Sequence, residues 1–333
     1  MSKPIRWGIL GAANFAKKHM ARAIHSAEGA QLVALATSDP AKAEGFQSFC
    51  PQLEVETDYD ALLARDDIDA VYVPLPNHIH VDWTLKAMRS GKHVLTEKPI
   101  AMTAEQIDDL IALRDKTGLM CAEAYMIVHH PQWSRAKQLL AEGAIGTVMH
   151  VEAVFSYNNS DMDNIRNRPE TGGGSIRDIG VYTYGAARWA TEQEPRTITH
   201  TNIRYENDVD VVAEVNAQFD TFSYHALTSM RMCPAQEVRF HGDTGVLTME
   251  TPFNANLFGP TRLHLTDTSN NEMVEHFTGQ NHYITQVENF CATVRAGTSA
   301  HADYPWTLED ARGTQAMIDA VFKADKAARS LKD

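Results

Sequence analysis

The stretch Ile5-Arg6-Trp7-Gly8-Ile9-Leu10-Gly11-Ala12-Ala13-Asn14-Phe15-Ala16 decides the fold. Ile5 to Leu10 has the apolar, β-branched character of a buried strand, the next residues are small, and a helical pattern then runs from about Phe15 to Ala27. A small-residue turn between a strand and a helix is where a dinucleotide fingerprint belongs. Such a turn must be tight, must let the backbone approach a pyrophosphate, and must let helix and strand touch, so glycine or alanine is required at three spaced positions. Here they are Gly11, Ala13 and Ala16. Two alanines make the motif weak taken alone, since a plain strand-turn-helix looks the same. Its place on the first strand favours the dinucleotide reading.

Outward from this turn, short apolar runs alternate with helical patterns for about 120 residues. Leu32 to Ala36, Glu54 to Glu56, Ala70 to Val73, His93 to Thr96 and Leu119 to Ala122 read as strands. Helices are expected over Ala41 to Phe49, Asp60 to Arg65, His80 to Ser90 and Ala104 to Thr117. Strands alternating with crossover helices form a doubly wound parallel sheet, an α/β Rossmann domain assigned to residues 1–122. Beyond it the pattern changes. Val148 to Phe155, Thr197 to Tyr205, Val211 to Phe219, Ser223 to Met230, Glu237 to His241 and Leu263 to Thr266 recur with few helices between them. This predicts an α+β domain over 123–333 with a large, mostly antiparallel open sheet, closed by helices at His282 to Ala296 and Leu308 to Ala328. The C-terminal helix has the option of packing back on the first domain.

Composition narrows the function. The 333 residues carry 30 Lys plus Arg against 43 Asp plus Glu, a net charge of -13, so the attraction to phosphate backbones that dominates nucleic-acid binding is missing. The apolar stretch Trp7 to Ala13 meets Asn14, Lys17 and Lys18 too soon for an export signal, and no apolar run approaches the roughly 20 residues of a membrane span. Cys50, Cys121, Cys233 and Cys291 are too far apart for a zinc knuckle or a redox C-x-x-C pair. They are read as buried thiols of a soluble, cytoplasmic protein. His78 and His80 have i, i+2 spacing but no third ligand, so no metal is expected.

An NAD-selecting site places an acidic side chain at the end of the second strand. The strand here ends Ala36-Thr37-Ser38-Asp39-Pro40, which offers two hydroxyls first and the carboxylate late. Thr37 and Ser38, with Lys42 nearby, suit the 2'-phosphate of NADP. NAD stays open through Asp39, and the two hydroxyls are equally suited to capping the next helix.

Glu97-Lys98-Pro99 follows the strand ending at Thr96, at the carboxyl edge of the sheet where such folds bind ligands. One strand earlier lies Pro74-Leu75-Pro76-Asn77-His78-Ile79-His80. With these two motifs the chain resembles the glucose-fructose oxidoreductase, inositol dehydrogenase and rhizopine-catabolism (Gfo/Idh/MocA) family. Within it the chain is most similar to the branch of dimeric dihydrodiol dehydrogenase, D-xylose dehydrogenase and 1,5-anhydro-fructose reductase. The resemblance covers essentially the whole chain, through Trp7 to Ala16, Ala70 to His80, Gly91 to Met102, Glu123 to Gln132, Gly172 to Tyr182 and His241 to Phe253. It implies that Lys98 is catalytic, beside the nicotinamide and the reacting hydroxyl. It places Gly11, Ala13, Asn14, Phe15, Pro74, Asn77, His80 and Glu97 on the cofactor, and Tyr125 on the substrate. At His129-His130-Pro131 the family usually has an arginine two residues before the histidine, and this chain has Val128, which removes that substrate contact.

Thr171-Gly172-Gly173-Gly174-Ser175 is a flexible turn before a helical pattern that runs through Trp189. On that pattern Asp178 and Tyr182 are four apart and share a face. A phenol with a carboxylate beside it is suited to giving or taking a proton, although a core tyrosine bonded to an aspartate has the same spacing. The family pattern Asp-x-Gly-x-His/Tyr fits through Gly180 and carries the general acid/base role to Tyr182, with Asp178 orienting it. A glycine on a helix costs about 1 kcal/mol against alanine, so Gly180 marks a place where a ligand would approach the backbone. Asn164, Arg166 and Arg177 are further candidates for a sugar pocket.

The function expected is reversible NAD(P)-dependent hydride transfer between hydroxyl and carbonyl on a pyranose-type sugar or cyclic polyol, by a homodimer or a dimer of dimers. A non-catalytic regulator and an NAD-dependent glycosidase are the alternatives, since the family contains both. Relatives of the regulator kind lose the lysine and acid pair that this chain keeps.

Overall fold

The structure is a computed structural model that describes residues 3–331. Among these residues the chain forms two compact units. The first takes the residues up to Met126 together with His282–Ala311, and the second takes Ile127–Asn281 together with the residues from Arg312 onward. A single boundary at 122/123 does not describe this return of the chain to its first unit.

In the first unit, β1 (Ile5–Leu10), β2 (Ala30–Ala36), β3 (Glu54–Glu56), β4 (Ala70–Val73), β5 (His93–Glu97) and β6 (Cys121–Ala124) lie in the order β3-β2-β1-β4-β5-β6. Every pairing is parallel. The order reverses at β1 and β4, so the turns that leave these strands open at the point where doubly wound sheets take ligands. β6 is displaced from the apolar run Leu119 to Ala122 because its pairing with Val94–Glu97, rather than its hydropathy, sets its limits. The helix expected over Ala41 to Phe49 is a 3-10 turn, Pro40–Ala43, followed by a short α-helix, Glu44–Gln47. The carboxylate of Asp39 accepts the N–H of Ala41 at 3.2 Å and starts that turn. Asp39 thus supplies the cap for which Thr37 and Ser38 had the alternative role.

Helix His282–Ala296 belongs to this unit because large aromatic surfaces there need cover. Phe290 packs on Trp7 with ring centroids 5.0 Å apart, and Trp306 stacks on Tyr125 at 3.8 Å and 14°.

In the second unit, β7 (Val148–Asn158), β8 (Thr197–Glu206), β9 (Val209–Gln218), β10 (Ser223–Ser229), β11 (Arg231–Gly242), β12 (Gly245–Met249), β13 (Thr261–Asp267) and β14 (Glu272–Phe277) form one sheet. Its order is β14-β13-β12-β11-β7-β10-β9-β8. All pairs are antiparallel except β7 with β10. Three elements escape a reading of hydropathy alone. β12 is short, β14 is an exposed edge strand without a buried face, and helix Pro131–Ala141 follows so closely on the apolar Met126-Ile127-Val128 that its start is obscured. The ring of His130 caps it by accepting the N–H of Gln132 at 3.3 Å, with Pro131 in the first turn.

Cys50, Cys121 and Cys291 are buried free thiols, whereas Cys233 on β11 is exposed, contrary to expectation. No helix among the described residues is long and apolar enough to cross a membrane.

Candidate active site

At the turn after β1, Gly11 has a φ of +109°, and a Cβ there would lie 2.9 Å from Leu75 Cδ2 and 3.4 Å from Tyr59 Oη. The backbone conformation therefore requires glycine, and the neighbouring turn lies close to it. Its N–H donates to the carbonyl of Ala36 at 2.9 Å, which ties the turn to the end of β2. Gly11, Ala12 and Ala13 carry at most a methyl group, Asn14 is exposed, and Phe15 packs against His19 and Tyr283 at 5.0 and 5.8 Å. A crowded backbone with no bulky side chain before a helix fits a dinucleotide pyrophosphate. At the end of β2, Thr37 is buried and its hydroxyl bonds locally with the backbone of Asp39, while Ser38 is exposed. Lys42 lies 4.0 Å from the Asp39 carboxylate. Ser38 and Lys42 are thus the groups of this set that face outward.

The edge formed by β4 and β5 is tied together by His80. Its ring is fully buried, with Nδ1 2.8 Å from the carbonyl of Pro99 and Nε2 2.6 Å from that of Leu75. Burial pushes its pKa down to about 4, against the pull of the two carbonyls towards the charged form. His80 thus joins the Pro74-Leu75-Pro76-Asn77 segment to the Lys98-Pro99 turn, whose peptide bond is cis. Pro74 is buried and Asn77 opens the short turn that leads to His80. Glu97 accepts the hydroxyl of Tyr72 at 2.5 Å, and Lys98 beside it is half-buried.

Glu123 on β6 belongs to the same neighbourhood and was not foreseen from the sequence. It is buried, with one carboxylate oxygen accepting the N–H of Ile100 at 2.8 Å and the other the indole N–H of Trp306 at 2.8 Å. Burial pushes its pKa up to about 7 despite these donors and the nearby Lys98 charge. The available signal was an acidic residue inside the apolar run Met120 to Tyr125. Tyr125 is buried beneath Trp306, so its ring covers an indole and is not presented to a substrate as expected.

In the second unit, the glycine turn is shaped by a residue the sequence did not single out. Gly174 has a φ of +126°, and a Cβ there would collide with the carboxylate of Asp210. That carboxylate accepts the Ser175 hydroxyl at 2.9 Å and the Ile176 N–H at 2.7 Å, and burial pushes its pKa up to about 6. The segment so anchored begins as a π-helical turn, Ile176–Gly180, and continues as helix Val181–Thr191. Such turns are frequent at functional sites. The Asp178 carboxylate is bonded on both oxygens, by Arg166 Nε at 2.9 Å and by the Tyr157 hydroxyl at 2.5 Å. Burial and the Asp178 charge keep the Tyr157 phenol protonated. Tyr182 is 5% exposed and lies beside Phe155 and Phe253, each 6.0 Å away, which are stacked on one another at 4.8 Å. Phe155 and Tyr157 share one face of β7 by strand alternation, the signal that would have found them.

Of the other candidates, Asn164 accepts the N–H of Arg166 at 3.0 Å and so shapes the turn that carries that arginine to Asp178. Arg177 is in a different environment: its guanidinium lies over the Phe322 ring at 4.7 Å, with Asp210 and Asp319 as its charged neighbours. It leaves the sugar-pocket set for this reason. A Cβ on Gly180 would meet Tyr184 and Ile176 of its own segment at ordinary distances of 3.4 Å or more, so packing within the protein does not by itself require this glycine. No group of three or more His, Cys, Asp or Glu among the described residues is arranged to hold a metal.

Comparison with known proteins identifies the family. Residues 5–125 match the model of the GFO/IDH/MocA oxidoreductase family with its NAD-binding Rossmann fold, and residues 133–248 match the GFO/IDH/MocA C-terminal domain. The dTDP-3,4-didehydro-2,6-dideoxy-alpha-D-glucose 3-reductase of Actinomadura kijaniata is 31% identical, over 96% of this chain and 95% of its own. D-xylose 1-dehydrogenase (NADP(+)) 2 of Haloferax volcanii is 30% identical over 96% of each chain. A crystal structure of KijD10, a 3-ketoreductase from Actinomadura kijaniata in complex with NADP and TDP-benzene, superposes with a TM-score of 0.88 at 28% identity, covering 96% of this chain and 98% of that one. KijD10 has also been solved with one lysine replaced by alanine or glutamate and one tyrosine replaced by phenylalanine. In sequence that lysine and tyrosine have the same separation as Lys98 and Tyr182. The chain belongs to the GFO/IDH/MocA family of oxidoreductases, with an NAD(P)-binding Rossmann domain and the family's C-terminal domain.

Proposed function

We propose that this oxidoreductase interconverts a ring carbonyl and a hydroxyl on a pyranose sugar with NADP as coenzyme, and that Lys98 and Tyr182 handle the charge and the proton on the reacting oxygen. The observation that carries the reading is Asp178, held on both oxygens by Arg166 and Tyr157 and set four residues before a buried tyrosine beside Phe155 and Phe253. A carboxylate so constrained is a fixed element of a site rather than a solvated surface group. The lysine and tyrosine varied in the ketoreductase of known structure support the two roles.

The nicotinamide, when bound, supplies the hydride for reduction or receives it in oxidation. In reduction the Tyr182 phenol gives its proton to the carbonyl oxygen as that oxygen becomes a hydroxyl, and in oxidation it takes the proton back. The Lys98 ammonium stabilises negative charge on that oxygen during transfer. Asp178, held by Arg166 and Tyr157, would orient Tyr182. Gly11, Ala13, Asn14 and Phe15 would hold the pyrophosphate region, and Pro74, Asn77 and Glu97 the nicotinamide side, with His80 buried behind them.

Aldose oxidation, as in the xylose dehydrogenase, is the second reading, because the similarity to that enzyme covers as much of the chain. Aldoses, polyols, osones and nucleotide-linked keto sugars, each tried with both coenzymes and followed by nicotinamide absorbance, decide between them. No turnover with any of them returns the chain to the regulator reading.

Ser38 and Lys42, exposed at the end of β2, suit a 2'-phosphate, whereas Asp39 is spent on capping Ala41. NADP is expected to bind at least about tenfold more tightly than NAD, a difference of about 1.4 kcal/mol. Tighter NAD binding in equilibrium titration would instead put Asp39 on the ribose.

The protein is further proposed to be cytoplasmic, in keeping with its four free thiols, and to self-associate through its larger sheet. Met149 on β7, Met232 on β11, and Met273 and Val274 on β14 are exposed apolar residues of that sheet, and exposed apolar residues are commonly covered in an assembly. Light scattering at micromolar concentration should report a multiple of 37.0 kDa. The monomer mass alone would reject the assembly.

A further inference from the structure

Glu123 takes no part in the chemistry proposed above, yet it is buried in β6 and bonded to two segments distant in sequence. One oxygen holds the N–H of Ile100, directly after the Lys98-Pro99 turn, and the other holds the indole of Trp306 from the returning segment. We infer that Glu123 is a positioning residue for Lys98: its carboxylate anchors the turn that carries the lysine and supplies the counter-charge that keeps the ammonium at the sheet edge. Two donors aimed at one buried carboxyl favour its charged form, since a protonated carboxyl would set an O–H against an N–H.

The charged groups facing Glu123 are Lys98 from the turn and Glu97 from β5, and the remaining neighbour, Trp306, is neutral. Burial raises the proton affinity of Glu123, Glu97 adds to this, and the two donors and Lys98 oppose it, which brings the pKa to about 7. The anchor is therefore loosened on acidification at ordinary pH. The ring of His80 lies on the other side of the same turn, with Nδ1 2.8 Å from the carbonyl of Pro99, so the turn has polar neighbours at Pro99 and at Ile100.

The inference rests on the role given to Lys98, so its test is read first without turnover. The five tryptophans of the chain give five indole N–H signals in a nitrogen-15 correlation spectrum of the full-length protein, and Trp306→Phe identifies the relevant one. That signal is expected to move with pH as a single titration near neutrality. In Lys98→Met its midpoint should move upward, because the cation that favours the carboxylate is gone. A Trp306 signal that is flat between pH 5 and pH 9, or a midpoint that Lys98→Met leaves in place, overturns the inference whether or not a substrate is known.

With a substrate in hand, Glu123→Gln should lower kcat by about ten- to a hundredfold, the cost of a misplaced group. Coenzyme Kd should change by less than about threefold, and the acid limb of the kcat profile that reports Glu123 should disappear. An unchanged kcat with the acid limb intact removes Glu123 from the positioning of Lys98 while leaving the proposed reaction standing.

Discussion

Lys98→Ala should lower kcat by about two to four orders of magnitude, the usual range for a positioned acid/base group, and Tyr182→Phe should do the same. Neither should weaken coenzyme binding comparably, because charge develops on the substrate oxygen only as the hydride moves. Tyr182→Phe removes one oxygen from a ring already packed beside the stacked pair Phe155 and Phe253, so the fold tolerates it and the loss reads out chemistry. If the two residues serve one step, the double variant loses far less than the product of the single losses. Steady-state kinetics with the substrate from the panel, beside equilibrium titration of coenzyme, measures both quantities. Near wild-type turnover in Tyr182→Phe alone would assign the proton to Lys98. The same result in both variants would favour a coenzyme-binding regulator.

The second large effect is on stability, which should fall on acidification. Burial holds His80, His93 and His130 down to about 4 and His129 to about 3. Each stays neutral in the folded protein while the unfolded chain takes up a proton below about 6.5. Their contribution is therefore fully present above that value and is lost as pH falls towards 4, at about 2 kcal/mol for each histidine by pH 5. Glu123 and Asp210 run the other way. With pKa values raised to about 7 and about 6, they keep protons in the folded state that the unfolded chain has already released, so they cost stability as pH rises through this range. Four histidines against two carboxyls leave a net loss of roughly 5 kcal/mol between pH 7 and pH 4.5. Differential scanning fluorimetry across this range should show Tm falling by several degrees. In His130→Asn, which keeps a capping acceptor for the N–H of Gln132 but cannot titrate, the decline should be shallower. A Tm that is flat or rises towards pH 5 would contradict the sign.

The first unit was largely legible from the chain. Its strands alternate with helices at the spacing of a parallel sheet, and Gly11 stands where a φ of +109° leaves no alternative. The helix over Ala104–Thr117 and the returning helix His282–Ala296 match their apolar periods to the residue, because one buried stripe is enough to declare a helix. The motifs Glu97-Lys98-Pro99 and Asp178-x-Gly180-x-Tyr182 were visible for a related reason: their residues are neighbours in sequence, so local geometry relates them. The pairing of β11 and β7, which extends β11 to Arg231–Gly242, was not visible, and neither were the edge strand β14 and the destination of helix His282–Ala296, since register and partner are settled between distant segments.

What holds each motif in place came only from the tertiary structure. Trp306 and Ile100 meet on Glu123, Ser175 and Ile176 on Asp210, and Arg166 and Tyr157 on Asp178. A single acidic letter within a strand does not reveal which donors the fold will bring to it. Tyr125 and Arg177 show the converse, for both are suitable in type and sequence neighbourhood, yet one is covered by an indole and the other is turned onto Phe322. Read from the chain alone, the fold class and the dinucleotide turn follow from local periodicity and from the steric demands of one turn, while the roles proposed for Lys98 and Tyr182 rest on the resemblance of two short motifs to the family pattern. The tertiary structure decided which charges are buried, which carboxyls are fully bonded and which candidates face a neighbour instead of a ligand, because burial and hydrogen-bond pairing are properties of segments that only folding brings together.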